Sequence, residues 1–107
     1  MKKISVLTVA LLGLAALAGA KSYGISLSSP AKVGNLELKP DNYSVKLLKG
    51  NDAVFTDHMG KKYETKARVE NGTRKFNYTA VESHRVNGVE HIDGIELSGT
   101  RTTLAFN

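Results

Sequence analysis

The segment ESHRVNGVEHID, residues 82–93, carries the side chains of this chain that are best suited to chemistry. Its central Asn87-Gly88 pair predicts a β-hairpin with a two-residue loop, because a type I′ turn requires positive φ at both central positions. A two-residue loop fixes the register of the flanking strands, so two histidines face each other, and on the same face two carboxylates face each other two rungs away. The predicted candidate metal ligands are His84, His91, Glu82 and Asp93.

Imidazoles on directly opposed strand residues are close enough to share one ion, since their Cβ atoms lie about 4.5–5.5 Å apart. Imidazole combined with carboxylate suits Zn²⁺ or Cu²⁺ better than Ca²⁺ or Mg²⁺. A simpler interpretation is that these polar residues are only solvated at a hairpin tip. Gly94 also favours a β-bulge, which would keep the pair of histidines opposed but shift the inner part of the ladder.

The same register makes predictions further along the hairpin. The side chains on the histidine face nearer the core should be apolar and form a floor that leads into the polar cluster; they are Phe76, Tyr78, Ala80, Ile95 and Leu97. Ala80 should meet Ile95, and on the opposite face Arg85 should pair with Glu90.

A second candidate for chemistry is the pair Asp57 and His58 in VFTDHMG. With a serine from elsewhere in the chain they could form a hydrolytic triad. The sequence has neither a Gly-x-Ser-x-Gly elbow nor a cysteine nucleophile, so both residues are better interpreted as ordinary turn residues.

Alternating apolar and polar residues separated by turn signals predict the elements that position these groups. In YETKARVE, for example, Tyr63, Thr65, Ala67 and Val69 share one face of a strand. The pattern predicts an all-β, antiparallel sandwich of about seven strands, of the immunoglobulin-like or transthyretin-like kind. The predicted strands are Tyr23–Ser28, Leu36–Leu38 merging into Tyr43–Leu48, Ala53–Thr56, Tyr63–Glu70, Lys75–Arg85, Glu90–Leu97 and Arg101–Phe106.

Residues 1–20 have the composition of a cleaved signal peptide, with a basic start, an apolar run and small residues at Ala18 and Ala20. The run is shorter than the roughly 20 residues of a membrane-spanning helix, so we expect no integral membrane segment after cleavage. Residues 21–107 then form a single domain, exported to the periplasm or the extracellular space. The chain has no cysteine, so this domain must be held together without disulfides.

Charge argues against nucleic acid as a partner. Loss of Lys2 and Lys3 with the signal leaves thirteen basic and ten acidic residues, a formal net charge of +3. The basic residues are scattered along the predicted strands and turns, whereas nucleic-acid binders usually cluster them on one face.

Two segments resemble known exported proteins. LELKPDNYSVKL resembles the Leu-x-Pro-Gly-x-Tyr-x-Val element of transthyretin-like and carboxypeptidase-regulatory-like sandwiches, with Asp41 in the place of the glycine. Residues 76–106 resemble the C-terminal half of small exported bacterial proteins of unknown function, whose Gly-Thr-x-Thr ending is matched at Gly99 to Thr102. The resemblance implies a secreted sandwich and no catalytic residues, and the two histidine positions are not part of the pattern.

The sequence thus leaves three functional hypotheses. The first is a noncatalytic exported binding module, whose partner is an extracytoplasmic protein or a second copy associating through sheet edges. The second is a Zn²⁺- or Cu²⁺-binding protein that uses the hairpin histidines. The third is a small hydrolase, or an inhibitor of one, which only Asp57 and His58 support.

Overall fold

Strands account for all the regular structure of residues 21–106, the part of the chain that the computed structural model describes. The predicted signal peptide lies outside the described residues. Within them no helix is long and apolar enough to cross a membrane. The ten strands are β1 (Ser22–Leu27), β2 (Ala31–Val33), β3 (Leu36–Leu38), β4 (Asp41–Leu48), β5 (Asp52–Thr56), β6 (Lys62–Lys66), β7 (Arg68–Asn71), β8 (Ala80–Val86), β9 (Val89–Glu96) and β10 (Thr102–Ala105).

The strands form two sheets. The first has the order β1-β4-β5-β6 and is antiparallel throughout. The second has the order β3-β2-β9-β10-β7, and β8 pairs with β9. The predicted all-β sandwich is therefore confirmed, although one pairing, between β2 and β9, is parallel.

The chain passes from the first sheet to the second at Ala67, which lies between β6 and β7. Its N–H is bonded to the carbonyl of Asn51, at a distance of 2.9 Å. The single predicted strand Tyr63–Glu70 is therefore two strands in different sheets. Thr65 and Ala67 keep the predicted inward orientation and are buried, whereas Val69 is 36% exposed at the sheet edge.

The core lies between the sheets and draws on both. Tyr43 packs edge-on against Phe55 and Tyr63, and Phe55 packs against Phe106. Burial raises the pKa of the Tyr43 hydroxyl, which donates a 2.6 Å hydrogen bond to the carbonyl of Lys39. The largest fully buried side chains are Phe55, Leu38, Ile95, Leu104, Val33 and Val45.

Three other strand predictions need correction. Leu36–Leu38 does not merge into the strand Tyr43–Leu48, because β3 pairs with β2 in the second sheet and β4 lies in the first. The strand Ala31–Val33 was not predicted, because three residues show little alternation and, unlike Leu36–Leu38, this segment does not run toward a longer alternating segment. The predicted strand Lys75–Arg85 starts only at Ala80. Before that point the backbone of Phe76 bonds to Thr100 and Gly99 of the loop after β9, instead of joining a ladder.

Candidate functional site

The hairpin of β8 and β9 turns where the sequence predicts. Asn87 and Gly88 have φ of 51° and 80°, the positive values that a type I′ turn requires. Four predicted rungs are confirmed: Val86 with Val89, Arg85 with Glu90, His84 with His91, and Ser83 with Ile92.

A β-bulge changes the register after the fourth rung. Asp93 is the extra residue, and Glu82 lies opposite Gly94. The predicted rung of Glu82 with Asp93 is therefore wrong, and the bulge that Gly94 favours is confirmed. A side chain at Gly94 would have its Cβ 3.2 Å from the carbonyl oxygen of Leu104, which explains the glycine next to the bulge.

The bulge also removes the predicted apolar floor. Ala80 lies opposite Glu96, and Val81 lies opposite Ile95. Ile95 is fully buried in the core with Val81 packed against the same cluster, so it belongs to the face away from the histidines. Tyr78, outside any strand, is 80% exposed.

The two histidines form a stacked pair. Their ring centroids are 5.5 Å apart and their planes differ by 26°. The Nδ1 atom of His84 lies 2.8 Å from Oδ2 of Asp93, so the bulged residue holds this ring in place. When the carboxylate accepts a hydrogen bond from Nδ1–H, the Nε2 atom of a neutral His84 keeps its lone pair for another partner.

The carboxyl group of Glu82 interacts with that of Glu96 and not with the histidines. A hydrogen bond with Glu96, then burial and the nearby charges of Glu96, Asp93 and Glu70, raise the pKa of Glu82. Glu82 and Glu96 are diagonal neighbours on one face, since their opposite residues are Gly94 and Ala80. In residues 21–106, no three His, Cys, Asp or Glu side chains are placed to hold one metal ion.

A cleft of about 430 Å³ opens beside the histidines. It lies where β9 changes its neighbour: β2 pairs with it at Glu90 and His91, and β10 pairs with it from Gly94 onwards. The lining combines an apolar base with amide, imidazole, ammonium and carboxylate groups. It consists of Lys32, Gly34, Asn35, Thr65, Lys66, His84, His91, Ile92, Asp93 and Phe106.

The two lysines of this cleft differ in their surroundings. Lys66 forms an ion pair with Asp52 at 3.0 Å and donates to the carbonyl of Gly50 at 3.1 Å. Lys32 is the parallel neighbour of His91, and no ion pair of Lys32 occurs among the described residues. Its ammonium group is therefore the cleft's most available cation for an anionic ligand.

The other face of the hairpin carries an ordinary polar cluster. Arg85 and Glu90 form the predicted ion pair at 3.3 Å, and the hydroxyl of Ser83 donates to Glu90. An ion pair this exposed contributes at most about 1 kcal/mol to stability. These residues support the register of the hairpin.

Asp57 and His58 are not partners of each other. One carboxylate oxygen of Asp57 accepts hydrogen bonds from the N–H groups of Met59 at 2.9 Å and Lys61 at 2.8 Å, which closes the turn between β5 and β6. His58 instead places Nδ1 2.7 Å from Oδ2 of Asp41. The turn role predicted for Asp57 is thus confirmed. Sequence reasoning missed Asp41 as the partner, because a contact 17 residues distant has no local signal.

Comparisons with known proteins give no match to a protein family, to a curated protein or to a solved structure. The resemblance to exported sandwich proteins therefore stays a prediction. The geometry of the histidine pair and its cleft is what remains to support a function.

Proposed function

We propose that residues 21–107 form a noncatalytic binding module that acts outside the cytoplasm and takes its ligand in the cleft beside His84 and His91. The observation that carries this proposal is the cleft itself, of about 430 Å³. Ligand sites are typically concave, with an apolar lining and a few convergent polar groups that fix orientation. Ile92 and Phe106 supply the apolar base, and Lys32 and Asp93 supply opposite charges.

The position of the cleft supports binding by a preformed site. Its residues lie on β2, β6, β8 and β9, in the short turn after β2, or directly after β10, and strands hold side chains more rigidly than long loops do. Among its described lining residues only Thr65 carries a hydroxyl, which accepts a 3.5 Å hydrogen bond from the N–H of Asn35. Within residues 21–106 no hydrogen bond joins this hydroxyl to a histidine or a carboxylate, so the hydroxyl nucleophile with an adjacent base that many hydrolases use is not part of the described lining.

Export is the second part of the proposal and rests on the signal-like composition of residues 1–20. The candidate cleavage point after Ala20 falls one residue before β1 begins at Ser22. Cleavage there would therefore leave the first strand complete.

The test is an NMR titration of ¹⁵N-labelled residues 21–107 with extracytoplasmic ligands: muropeptides, oligosaccharides, organic acids and short peptides. We expect the amide signals of Ile92, Asp93 and Phe106 to shift together. For an anionic ligand, Lys32→Glu should weaken binding roughly tenfold, equivalent to about 1.4 kcal/mol. Lys49→Glu, an equal charge change in the exposed turn after β4, is the matched control.

Two results contradict the proposal. One is a panel in which no ligand shifts the cleft signals. The other is a ligand whose affinity falls equally with Lys32→Glu and Lys49→Glu, since it would respond only to the overall charge.

Self-association through sheet edges is a second candidate, favoured by β7. This strand is the edge of the second sheet, and all four of its residues are exposed. Exposed edges accept a strand from another chain. Sedimentation equilibrium would detect it as a mass that rises with concentration, and Val69→Lys on β7 should abolish the rise. A constant monomer mass would exclude this candidate.

A further inference from the structure

We propose that His84 and His91 bind one Zn²⁺ or Cu²⁺ ion as a two-histidine site, whose remaining coordination positions are completed by a carboxylate-bearing ligand in the adjacent cleft. This inference rests on the proposed binding function and names its ligand class. It differs from the four-residue site that the sequence predicts. Asp93 has a positioning role, and Glu82 is outside the ligand set.

The first argument is the orientation of His84. Its Nδ1 atom is engaged by Asp93 at 2.8 Å, which leaves Nε2 for a metal ion. Metal-binding histidines usually donate their other N–H to a carboxylate or carbonyl, which fixes the tautomer and makes the ligand more basic. Asp93 is the extra residue of the bulge and lies two positions after His91 on β9.

The second argument is the pairing of the rings. The ring centroids are 5.5 Å apart, so one ion could lie within reach of a nitrogen atom from each imidazole. Zn–N bonds are about 2.0–2.1 Å long, so the rings must tilt toward each other when an ion binds. The side chains of His84 and Asp93 are half-exposed, 54% and 44%, whereas His91 is partly buried, so we expect His84 to make the larger movement.

The third argument is the incomplete ligand set. No third His, Cys, Asp or Glu in the described part of the chain is placed to join the two rings around one ion. Tetrahedral zinc sites with fewer than four protein ligands complete their coordination with water or substrate. Here the open positions would face the cleft, where Lys32 is the neighbour of His91 and can attract a carboxylate that also binds the ion.

The probe is the Cu²⁺ complex of iminodiacetate, a small dicarboxylate that leaves coordination positions free for imidazole. Isothermal titration calorimetry of residues 21–107 at pH 7.5 would compare this complex with Cu²⁺ alone, with Zn²⁺ alone and with metal-free iminodiacetate. We expect one site for the Cu²⁺ complex. Its dissociation constant should rise at least roughly tenfold in either His84→Ala or His91→Ala, since a truncated pair loses one of two bonds to the ion.

The matched control is His58→Ala. His58 is also exposed and also has its Nδ1 atom bonded to an aspartate, at 2.7 Å, but it lies in another turn and is not a member of the stacked pair. Its removal should leave the dissociation constant unchanged. Equal losses for all three histidine variants would mean that single imidazoles bind the probe independently, and that result would overturn the inference.

Asp93→Asn tests the positioning role. The amide still reaches the ring but no longer favours a proton on Nδ1, so affinity should fall about tenfold, within the range typical of such partners. A ¹⁵N-edited spectrum of the imidazoles should show a change in the tautomer of His84. An unchanged tautomer and affinity would mean that Asp93 has no positioning role.

The experiment separates this inference from the proposed function. If no metal binds but a metal-free ligand still shifts the signals of Ile92 and Phe106, the two-histidine site is wrong and the binding module stands. If metal binds through the two histidines but no ligand enters the cleft, the ion site stands and the proposed ligand class is wrong.

Discussion

The same pair of residue types, aspartate with histidine, occurs twice in this domain with different consequences. Asp93 holds His84 beside a second imidazole and a cleft. Asp41, the first residue of β4, forms a hydrogen bond with His58, which lies in the turn after β5. This contact connects β4 to that turn. We therefore propose a binding role for the first pair alone, because a second imidazole and a concave surface accompany it.

The Asp41–His58 pair predicts a pH dependence of stability. Its hydrogen bond lowers the pKa of Asp41 below the usual 3.8 and raises the pKa of His58 above the usual 6.5. The raised pKa of His58 stabilises the fold fully below 6.5, and this stabilisation is lost as pH rises through the folded-state value. The lowered pKa of Asp41 stabilises it above 3.8, and this stabilisation is lost as pH falls through the folded-state value.

Both contributions are therefore complete between these two limits. We expect the difference in Tm between the wild type and His58→Gln to be largest at about pH 5, and to shrink toward pH 2 and pH 9. Thermal unfolding of both proteins across this pH range gives the measurement. A difference that stays constant with pH would mean that the pair acts through shape rather than charge.

Tyr43 makes a prediction about a single hydroxyl in the core. Tyr43→Phe removes the donor to the Lys39 carbonyl but keeps the ring contacts, so it should lower the free energy of unfolding by about 1 kcal/mol. In a domain of this size the loss is a Tm shift of roughly 4–8 °C. Urea unfolding measures it, with Tyr78→Phe at an 80% exposed position as control. Equal stability of both variants would show that the hydroxyl contributes nothing.

At the scale of elements, the sequence predicts the features that depend on residues close together in the chain, such as turns and the strand register next to them. Asn87-Gly88 determined the turn, and the turn determined the four rungs up to Ser83 and Ile92. The ladder beyond them could not be predicted, because whether Gly94 receives a bulge depends on its approach to the carbonyl of Leu104 on another strand. The change of sheet at Ala67 could not be predicted either. The alternation of apolar and polar residues continues through Ala67, and the hydrogen bond of its N–H to the carbonyl of Asn51 has no local signal.

The cleft also depends on a contact between elements. It forms because β2 and β10 pair with different parts of β9, and β2 was too short to predict. Sequence reasoning therefore found the histidine pair but neither the cleft beside it nor the correct place of Glu82.

Gly34, in the turn between β2 and β3, lies close to Thr65, which also lines the cleft, and this contact can be tested by substitution. Its φ is +56°, and a Cβ there would overlap the Oγ1 atom of Thr65 on β6. Gly34→Ala should therefore cost more than the about 1–2 kcal/mol of a left-handed alanine alone. Gly60→Ala, with φ of +86° and open space around it, isolates that conformational cost as a control.

A double-mutant cycle completes this test. In a Thr65→Ala background the overlap is absent, so the additional cost of Gly34→Ala over Gly60→Ala should largely disappear. Chemical denaturation of the four proteins measures the coupling. If the effects of the two substitutions are additive, a side chain at position 34 does not interact with Thr65, and this explanation of Gly34 is wrong.

At the scale of the whole molecule, one core must hold the two sheets together without a disulfide. The buried cluster contains Val45 and Phe55 from the first sheet with Val33, Ile95 and Leu104 from the second. Neither sheet keeps this apolar face covered alone, so we expect them to unfold in one transition. Circular dichroism and tyrosine fluorescence should give the same Tm, and separate midpoints would mean that the sheets are independent units.

Export predicts where the mature chain begins. Ser22 is the first residue of the β1 ladder and pairs with Lys46, so Lys21 is the last residue that can be lost without shortening the strand. When the full chain is expressed in a bacterium, mass spectrometry of the periplasmic or secreted protein should give residues 21–107. Ala18→Leu together with Ala20→Leu should block this processing, because signal cleavage requires small residues there. A wild-type chain that keeps its first 20 residues and stays in the cytoplasm would contradict export.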